Sequence, residues 1–363
     1  MSDSSSKAPG SYIDQIRRKF SLDLHHIATA SVNSQIEQAK LGKLAESIQL
    51  ESPDVSVVVF GSLARREWTQ GSDIDWTLLI DGQVAPAHRA MAKRFADKLA
   101  EAGYGKPGPT QTFGGLMFSH DVVHYIGGVQ DTNQNLTRRM LLFLESLQLS
   151  KSVAYGQVLR NVLERYLEDE SHIHGKGSII RVPRFLLNDV VRFWRTMAVD
   201  YACKRWERGE GWALRNLKLR FSRKLLFFSG LLLCFGWAIE QIDAQSVASS
   251  SSVNGNKEGL RKSILRIVEN LSPLEHVCMW LLRENASEAT IESILTTYDR
   301  FLGLLESQEK RDHLESLSAA ESTDDSLFQD HVKSSREFNA ALVNFAFDES
   351  VRLSQLVKEY GVF

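Results

Sequence analysis

The chain has 363 residues, of which 43% are hydrophobic and 24% charged, and its formal net charge is −2 at pH 7. This composition excludes a collagen-like, fibrous or wholly disordered protein, and the length is sufficient for two globular domains. Three cysteines, far apart and without zinc-ligand spacing, exclude a disulfide scaffold and favour a reducing cytoplasm.

The N-terminal part of the chain predicts a polar lead-in followed by a helix. Residues 1–12 lack the apolar core of a secretory signal, so we expect a disordered segment there. Ile13–Gln49 carries apolar residues near helical spacing, and Pro53-Asp54 ends that pattern. The next element is therefore expected to be a strand packed against this helix.

That strand is the apolar run Val57–Phe60, which ends at Gly61-Ser62. Glycine adopts backbone angles closed to other residues and lets a phosphate approach the main chain. The Ser62 hydroxyl and neighbouring N–H groups can then bond phosphate oxygens. The turn therefore predicts one half of a phosphate-binding site.

Two acidic residues, Asp73 and Asp75, lead into a second apolar strand, Trp76–Ile80. Because side chains alternate along a strand, both carboxylates are expected on one face, with Ile74 on the other. Carboxylates held this close repel each other unless a cation lies between them. Hard oxygen ligands of this kind suit Mg²⁺, which also binds substrate phosphates.

The order GS, a spacer of about ten residues, then DxD between apolar strands resembles the nucleotidyltransferase superfamily that includes DNA polymerase beta. The longer string GSLARREW…GSDID is similar to the GS-x-ARGE…SDID form. That form occurs in antibiotic nucleotidyltransferases and in enzymes that uridylylate or adenylylate nitrogen-regulation proteins. The resemblance covers roughly residues 40–145, and Arg66 departs from it at a position that is often glycine.

A third carboxylate lies on a later strand in that superfamily. After a predicted helix, Pro86–Ala102, capped by Gly103, the segment Phe113–Ile126 predicts such a strand. The resemblance therefore implies Asp121 as the third acid. The alternative for Asp121 is a solvent-facing acid on an edge strand, and His120 and His124 are alternative polar residues there.

A turn at Gly127-Gly128 precedes a predicted helix, Leu136–Leu149, which Thr132 or Asn133 can cap. Arg138 and Arg139 lie in its first turns, where cations oppose the helix dipole. Either a bound triphosphate or a nearby acid, Glu145 or Asp131, is expected to compensate them.

From Val153 onward the pattern predicts only helices. The expected fold class is α+β: a small mixed-sheet nucleotidyltransferase palm with flanking helices at 13–150, followed by a larger all-helical domain at 151–363. A Ser-rich flexible loop is expected at 244–256 and a polar linker at 306–327. The longest apolar run, Leu225–Ile239, is too short for a typical membrane span and predicts a buried core helix rather than a transmembrane segment.

Basic residues concentrate between Lys176 and Lys224, where thirteen Lys or Arg accompany four Asp or Glu. Relatives of the palm often hold the triphosphate with a Lys or Arg from a following helical domain, which implies Lys218, Arg223 and Lys224 here. Arg65, beside the Gly61-Ser62 turn, is a further candidate. The alternatives are a solvated helix face, a docking surface for the acidic remainder, or a nucleic-acid surface.

The resemblance implies transfer of a nucleoside monophosphate from an NTP or dNTP to a hydroxyl, with release of pyrophosphate. Asp73, Asp75 and Asp121 would bind Mg²⁺ or Mn²⁺, and the acceptor would be a protein side chain or another nucleotide. One alternative is a template-independent oligonucleotide synthase in bacterial anti-phage signalling. Another is a non-catalytic nucleotide-binding or antitoxin-like module with a partner protein encoded nearby. A cytoplasmic location is expected in each case.

Overall fold

A computed structural model describes residues 11–48, 52–105, 112–174, 182–208, 211–247 and 257–361. Residues 1–10 of the expected lead-in lie outside the described residues. Of the expected loop at 244–256, residues 244–247 continue a helix and the remainder also lies outside the described ranges.

The four described strands form one mixed sheet, β1 (Val55–Phe60), β2 (Asp75–Ile80), β3 (Gly115–Phe118) and β4 (Ser146–Gln148). Their spatial order is β3-β2-β1-β4. The central strand β1 pairs antiparallel with both β2 and β4, whereas β2 and β3 are parallel. The small mixed sheet followed by a larger helical region confirms the predicted α+β class.

Helices surround this sheet and make up most of the chain. In the N-terminal part they are α1 (Tyr12–Phe20), α2 (His25–Ser47), α3 (Gly61–Ala64), α4 (Pro86–Glu101), α5 (Ser119–His124) and α6 (Asn133–Leu144). The middle part contains α7 (Ala154–His174), α8 (Arg184–Arg208), α9 (Trp212–Lys218), a first π-helix (Leu219–Arg223), α10 (Lys224–Val247) and α11 (Lys257–Asn270). The last part contains α12 (Pro273–Arg283), α13 (Glu288–Glu306), α14 (Gln308–Ser316), a 3₁₀ turn (Glu321–Thr323), α15 (Ser326–Asn344), a second π-helix (Phe345–Glu349) and α16 (Val351–Tyr360).

The alternation of strand β1 divides the apolar interior into two cores. Val57 and Val59 pack with residues of α2 and α4 on one face of the sheet. Val58 and Phe60 belong to the larger core that continues through the helical region. Because successive strand residues point to opposite faces, a fully apolar strand is buried on both sides. The helical region therefore covers one face of the sheet. The domain boundary predicted at residue 150 stays a prediction.

The N-terminal helices also contact the C-terminal ones. The backbone N–H of Tyr12 donates to Glu275 at 2.8 Å, and that of Ile27 donates to the Asp299 Oδ1 atom at 2.8 Å. Helix α13 thereby packs along α2, behind the sheet. These contacts fix the orientation of the helical region relative to the palm.

The expected strand at Phe113–Ile126 is wrong over most of its length. The strand β3 ends at Phe118, and Ser119–His124 form helix α5. Gly114 still follows the strand pattern, since its N–H donates to the Trp76 carbonyl at 2.7 Å. The apolar residues of this segment fit the period of a strand as well as that of a helix. The sequence pattern alone therefore could not show where the strand ends and helix α5 begins.

The expected polar linker at 306–327 contains ordered elements, helix α14 and a 3₁₀ turn. Its Arg311 is buried and donates to the Thr69 hydroxyl at 3.2 Å and to the Gln70 carbonyl at 2.7 Å. A Cβ atom on Gly71 would collide with this guanidinium. The segment therefore holds the loop that leads into Asp73.

Residues Trp212–Asp243 form a helix long and apolar enough to cross a membrane by length and composition alone. However, 67% of its most apolar window is buried inside the protein, as in the core helix of a globular domain. Leu225, Leu226 and Phe235 of this helix belong to the main core.

Candidate active site

The Gly61-Ser62 turn lies at the end of β1, where the chain turns into the single-turn helix α3. Gly61 has a φ of +70°, a left-handed conformation that favours glycine. A Cβ atom at this position would lie 3.2 Å from the Asp75 Oδ2 atom. Glycine therefore allows the turn to lie directly against the Asp75 carboxylate.

Asp75 and Asp73 lie at the same edge of the sheet as this turn. Asp75 is the first residue of β2, and its backbone is opposite Phe60 in the antiparallel register. Asp73 precedes the strand, and it is exposed whereas Ile74 is buried and Asp75 is half-buried. The expected alternation is thus present, although Asp73 lies in the loop rather than in the strand.

The Asp75 carboxyl group is electrostatically stressed. Its pKa is raised to about 6, mainly by burial and also by the nearby carboxylates of Glu145 and Asp73, against the opposing charges of Arg223 and Arg65. A bound cation would relieve this stress, because it favours the ionised form of each carboxylate. The electrostatics therefore fit a cation between Asp73 and Asp75.

The donor set fits a hard divalent ion. Two carboxylates suit Mg²⁺ or Mn²⁺, which complete their coordination with water and substrate phosphates. Within the described ranges, no group of three or more His, Cys, Asp or Glu residues could hold a metal. The remaining ligands of an ion at this edge would therefore come from a bound phosphate and from water.

A buried ion network lies beneath this edge and joins the palm to the helical region. The Arg65 guanidinium donates to Glu67 at 2.7 Å and also to Glu145. The Tyr298 hydroxyl of helix α13 donates to the other Glu67 oxygen at 2.7 Å. Arg223, at the end of the first π-helix, donates to the second Glu145 oxygen at 2.6 Å.

This network determines what Arg65 can contact. Its side chain is only 7% exposed and lies between two carboxylates, and their charges raise its pKa although burial opposes them. In this arrangement Arg65 holds the turn and Glu145 in place. It does not present a free guanidinium to a phosphate.

A cleft of about 310 Å³ adjoins the acidic edge and is lined on one side by cationic side chains. Arg215 and Lys218 come from α9, and Arg223 comes from the π-helix. Although Lys218 is partly exposed, desolvation by the cleft wall and the charge of Arg223 lower its pKa, while the charges of Glu315 and Asp73 oppose this shift. Lys218 is therefore close enough to Asp73 for the two charges to interact. Other residues that line the cleft include Phe113, Glu145, Met197, Asp200 and Tyr201.

Arg223 and Lys224 are consecutive in the chain but have different surroundings. Consecutive residues of a helix lie about 100° apart around its axis and therefore face different neighbours. Arg223 points into the cleft, while the Lys224 ammonium donates to the Asn339 Oδ1 atom at 2.7 Å. Lys224 also lines a second cavity elsewhere. The structure therefore brings Lys218 and Arg223 to the site but not Lys224.

Asp121 is not brought together with the other two acids. Because β3 runs parallel to β2, Phe118 lies opposite Ile80, five residues beyond Asp75. Five strand residues span about 17 Å, and Asp121 follows Phe118 in helix α5. The charge of Asp121 acts instead on the pKa of Arg138. The expectation of a third carboxylate on a strand beside Asp75 is therefore corrected.

The acid that does lie near Asp75 is Glu145, which sequence reasoning considered only as a counter-charge for Arg138 and Arg139. Arg139 instead pairs with Asp131 at 3.0 Å and with Asp189 at 2.9 Å. Nearby acids therefore compensate its charge, and a bound triphosphate is not needed for this. Glu145 precedes strand β4, and Ser146 pairs with Phe60 at the end of β1. That three-residue strand, Ser-Leu-Gln, was the missing signal, and it is too short and too polar to be predicted from a pattern.

Residues 12–121 match the model of the family described as "Putative nucleotidyltransferase DUF294". The matched segment contains the Gly61-Ser62 turn and both Asp73 and Asp75, whereas Lys218 and Arg223 lie beyond it. Comparisons with curated proteins and with solved structures each gave no match. The family match supports a nucleotidyltransferase domain in the N-terminal third of the chain.

Proposed function

We propose that the chain is a metal-dependent nucleotidyltransferase that moves a nucleoside monophosphate from an NTP or dNTP to a hydroxyl acceptor. The observation that carries this proposal is the close approach of the Gly61 turn to the Asp75 carboxylate, with Arg223 and Lys218 near enough for their charges to act on Asp75 and Asp73. A phosphate-binding turn, a pair of metal-binding acids and a cationic wall are the parts that this reaction needs.

Asp73 and Asp75 would hold Mg²⁺ or Mn²⁺. When bound, the ion supplies charge neutralisation for the phosphates and makes the acceptor hydroxyl more acidic. The raised pKa of Asp75 fits this role, because its carboxylate gains most from a cation. Asp121 has no part in this proposal, since helix α5 places it beyond the far end of the sheet.

The remaining residues would bind and orient the triphosphate. Backbone N–H groups at Gly61-Ser62 and the Ser62 hydroxyl face one side of it, and Lys218 and Arg223 face the other. The acceptor oxygen forms a bond to the α-phosphorus while the bond to the bridging oxygen breaks and pyrophosphate leaves. The acceptor proton passes to solvent. Holding both reactants in line is the main contribution of the protein.

Arg65 has a positioning role in this scheme rather than the phosphate contact expected from the sequence. Its two carboxylate partners, Glu67 and Glu145, keep the turn and the π-helix at a fixed separation. Glu145 thereby also sets the position of Arg223. The network would preserve the width of the cleft when nucleotide binds.

The acceptor would be a protein side chain or another nucleotide. The cleft combines cations with Phe113 and Tyr201, and aromatic side chains next to cations suit a second nucleotide as well as the first. A nucleotide acceptor would make the chain an oligonucleotide synthase, the type that includes enzymes of bacterial anti-phage signalling. Either product would be made in the cytoplasm.

The test is incubation of the purified chain with each α-³²P-labelled NTP and dNTP, with Mg²⁺ or Mn²⁺, in the presence of cell extract or added RNA. Products are separated into free oligonucleotide, labelled protein and labelled RNA, and pyrophosphate is measured in parallel. The proposal expects pyrophosphate and one labelled product, both lost with EDTA. Nucleotide binding without any pyrophosphate would overturn it in favour of a non-catalytic nucleotide-binding module.

A further inference from the structure

A second cavity, of about 520 Å³, lies in the helical region and shares no lining residue with the cleft described above. It is enclosed by α8, α10, α15, the second π-helix and α16. Its volume falls in the range of about 300–1,000 Å³ that is typical of small-ligand pockets. The proposed transfer reaction does not use it.

The wall of this cavity is mainly apolar and aromatic. Trp194 and Phe227 are stacked there, with ring centroids 5.4 Å apart and an angle of 21° between the ring planes. Val343 and Phe347 also line the cavity and remain 45% and 42% exposed. Large apolar side chains that stay partly in contact with water beside a cavity are a frequent sign of a binding site. The wall therefore fits a ligand with an apolar body.

Two basic residues, Lys224 and Arg195, line the same cavity. Within the described part of the chain, the Lys224 ammonium donates to the neutral Asn339 side chain, at 2.7 Å. None of the residues that line this cavity in the described part of the chain is Asp or Glu. The cavity therefore has a cationic end without a protein carboxylate to balance it.

The surroundings of Lys224 add to this imbalance. Burial lowers the Lys224 pKa, and the charge of Arg220 lowers it further. Burial also lowers the Arg220 pKa, followed by the charge of Arg336. Arg220 thus repels both Lys224 and Arg336, and an anion bound beside Lys224 would lower the electrostatic energy.

We propose that this cavity binds a small amphipathic anion, an apolar chain that ends in a carboxylate or a phosphate. The apolar chain packs on Trp194 and Phe227, and the head group binds Lys224 and Arg195. A neutral apolar molecule would leave the cations unbalanced, and a small hydrophilic anion would leave the aromatic wall in water. Both parts of the ligand are therefore needed for tight binding.

The test is calorimetric titration of the full chain with decanoate below its micelle concentration, without nucleotide, so that the result does not depend on the proposed transfer reaction. Decyl phosphate, decanol and acetate are titrated in parallel. We expect one decanoate or decyl phosphate per chain, at least tenfold weaker binding of decanol, and no detectable binding of acetate. Stronger binding of one head group identifies which anion the cations prefer.

The variant Lys224→Met keeps the aliphatic chain and removes the charge, and it should weaken decanoate binding at least tenfold. The matched control is Lys93→Met, since Lys93 is an exposed residue of α4 that pairs with Asp97 at the surface. This control should bind decanoate like the wild type, and circular dichroism confirms that both variants fold. Absence of binding by both decanoate and decyl phosphate, or equal binding of the preferred one by Lys224→Met and wild type, would overturn the proposal.

Discussion

Gly61 lies against Asp75 so closely that a single added methyl group would come within 3.2 Å of the carboxylate oxygen. The left-handed φ of +70° at Gly61 makes this approach possible. The two residues are adjacent because the end of β1 pairs with the start of β2. The Gly61-Ser62 turn and the Asp75 carboxylate are thereby neighbours at one edge of the sheet.

The variant Gly61→Ala tests this relationship. The left-handed conformation costs an L-residue about 1–2 kcal/mol, and the methyl group must also displace Asp75 by a few tenths of an ångström. We expect a loss of about 1–3 kcal/mol in unfolding free energy and at least a tenfold loss of transferase activity. Urea unfolding and a pyrophosphate assay measure the two effects.

The control for this variant is Gly42→Ala, in the middle of α2. The nearest atom to a Cβ there is the Leu149 carbonyl oxygen at 3.8 Å, which is an ordinary contact. Alanine should stabilise the helix by about 0.5–1 kcal/mol and leave activity unchanged. If the two alanine variants have the same activity, the Gly61 turn is not part of the site.

The raised pKa of Asp75 predicts a pH-dependent difference in stability between wild type and Asp75→Asn. The folded-state pKa of about 6 exceeds the ordinary value of 3.8, so ionisation of Asp75 costs stability as pH rises through this window. The unfolding free energy of the variant should therefore rise by on the order of 3 kcal/mol relative to that of the wild type between pH 4 and pH 7. Above pH 7 the difference should stay constant. Urea unfolding in EDTA across this range measures the difference.

Addition of Mg²⁺ gives the complementary result. An ion that binds only the folded wild type stabilises it by mass action and should reduce the advantage of the asparagine variant at pH 7. A stability difference that does not change with pH, or that changes in the opposite direction, would mean that the pKa of Asp75 is not raised in the folded protein.

Lys218 and Lys224 are a matched pair for testing the cationic wall. Lys218 lines the cleft and is within reach of the Asp73 charge, whereas Lys224 contacts Asn339 in the other cavity. Hydrogen bonds to charged groups contribute about 1.5–3 kcal/mol, so Lys218→Met should raise the KM for nucleotide about tenfold or more. Lys224→Met should leave it unchanged. Steady-state kinetics measures both KM values. A larger rise in KM for Lys224→Met than for Lys218→Met would mean that the triphosphate binds in the second cavity.

Arg66 has a φ of 63°, a left-handed conformation that glycine adopts readily, which fits the glycine that the GS-x-ARGE form has at this position. Replacement by glycine removes about 1 kcal/mol of backbone strain but adds a similar entropic cost in the unfolded chain. Arg66→Gly should therefore change the unfolding free energy by less than about 1 kcal/mol. Arg66→Val should cost more, because a β-branched residue tolerates this conformation poorly. Equal stability of the glycine and valine variants would show that the backbone is not restrained here.

Local patterns in the sequence were sufficient to predict the palm's two central strands and the intervening turn. A run of β-branched residues ending in glycine identifies β1, and acids before an apolar run identify the edge of β2. The Thr132 side chain caps α6 as one of the two predicted residues, since its hydroxyl accepts from the Asn135 N–H at 3.1 Å. These features depend on residues close together in the chain.

Features that depend on distant residues could not be predicted in this way. Strand β4 has only three residues, and its pairing with β1 spans more than 80 positions of sequence. Glu145 consequently lies beside Asp75 although nothing near it in the chain marks it as a site residue. The π-helix is equally hidden, because an apolar pattern shows the average helical period and not one inserted residue.

The most direct test of the central claim compares pyrophosphate release by the wild type and by the double variant Asp73→Asn, Asp75→Asn, with the preferred nucleotide and Mg²⁺. The account predicts rapid release by the wild type and none above background by the variant, with unchanged circular dichroism. Release by the double variant at the wild-type rate would contradict it, because the acidic pair would then have no part in the reaction.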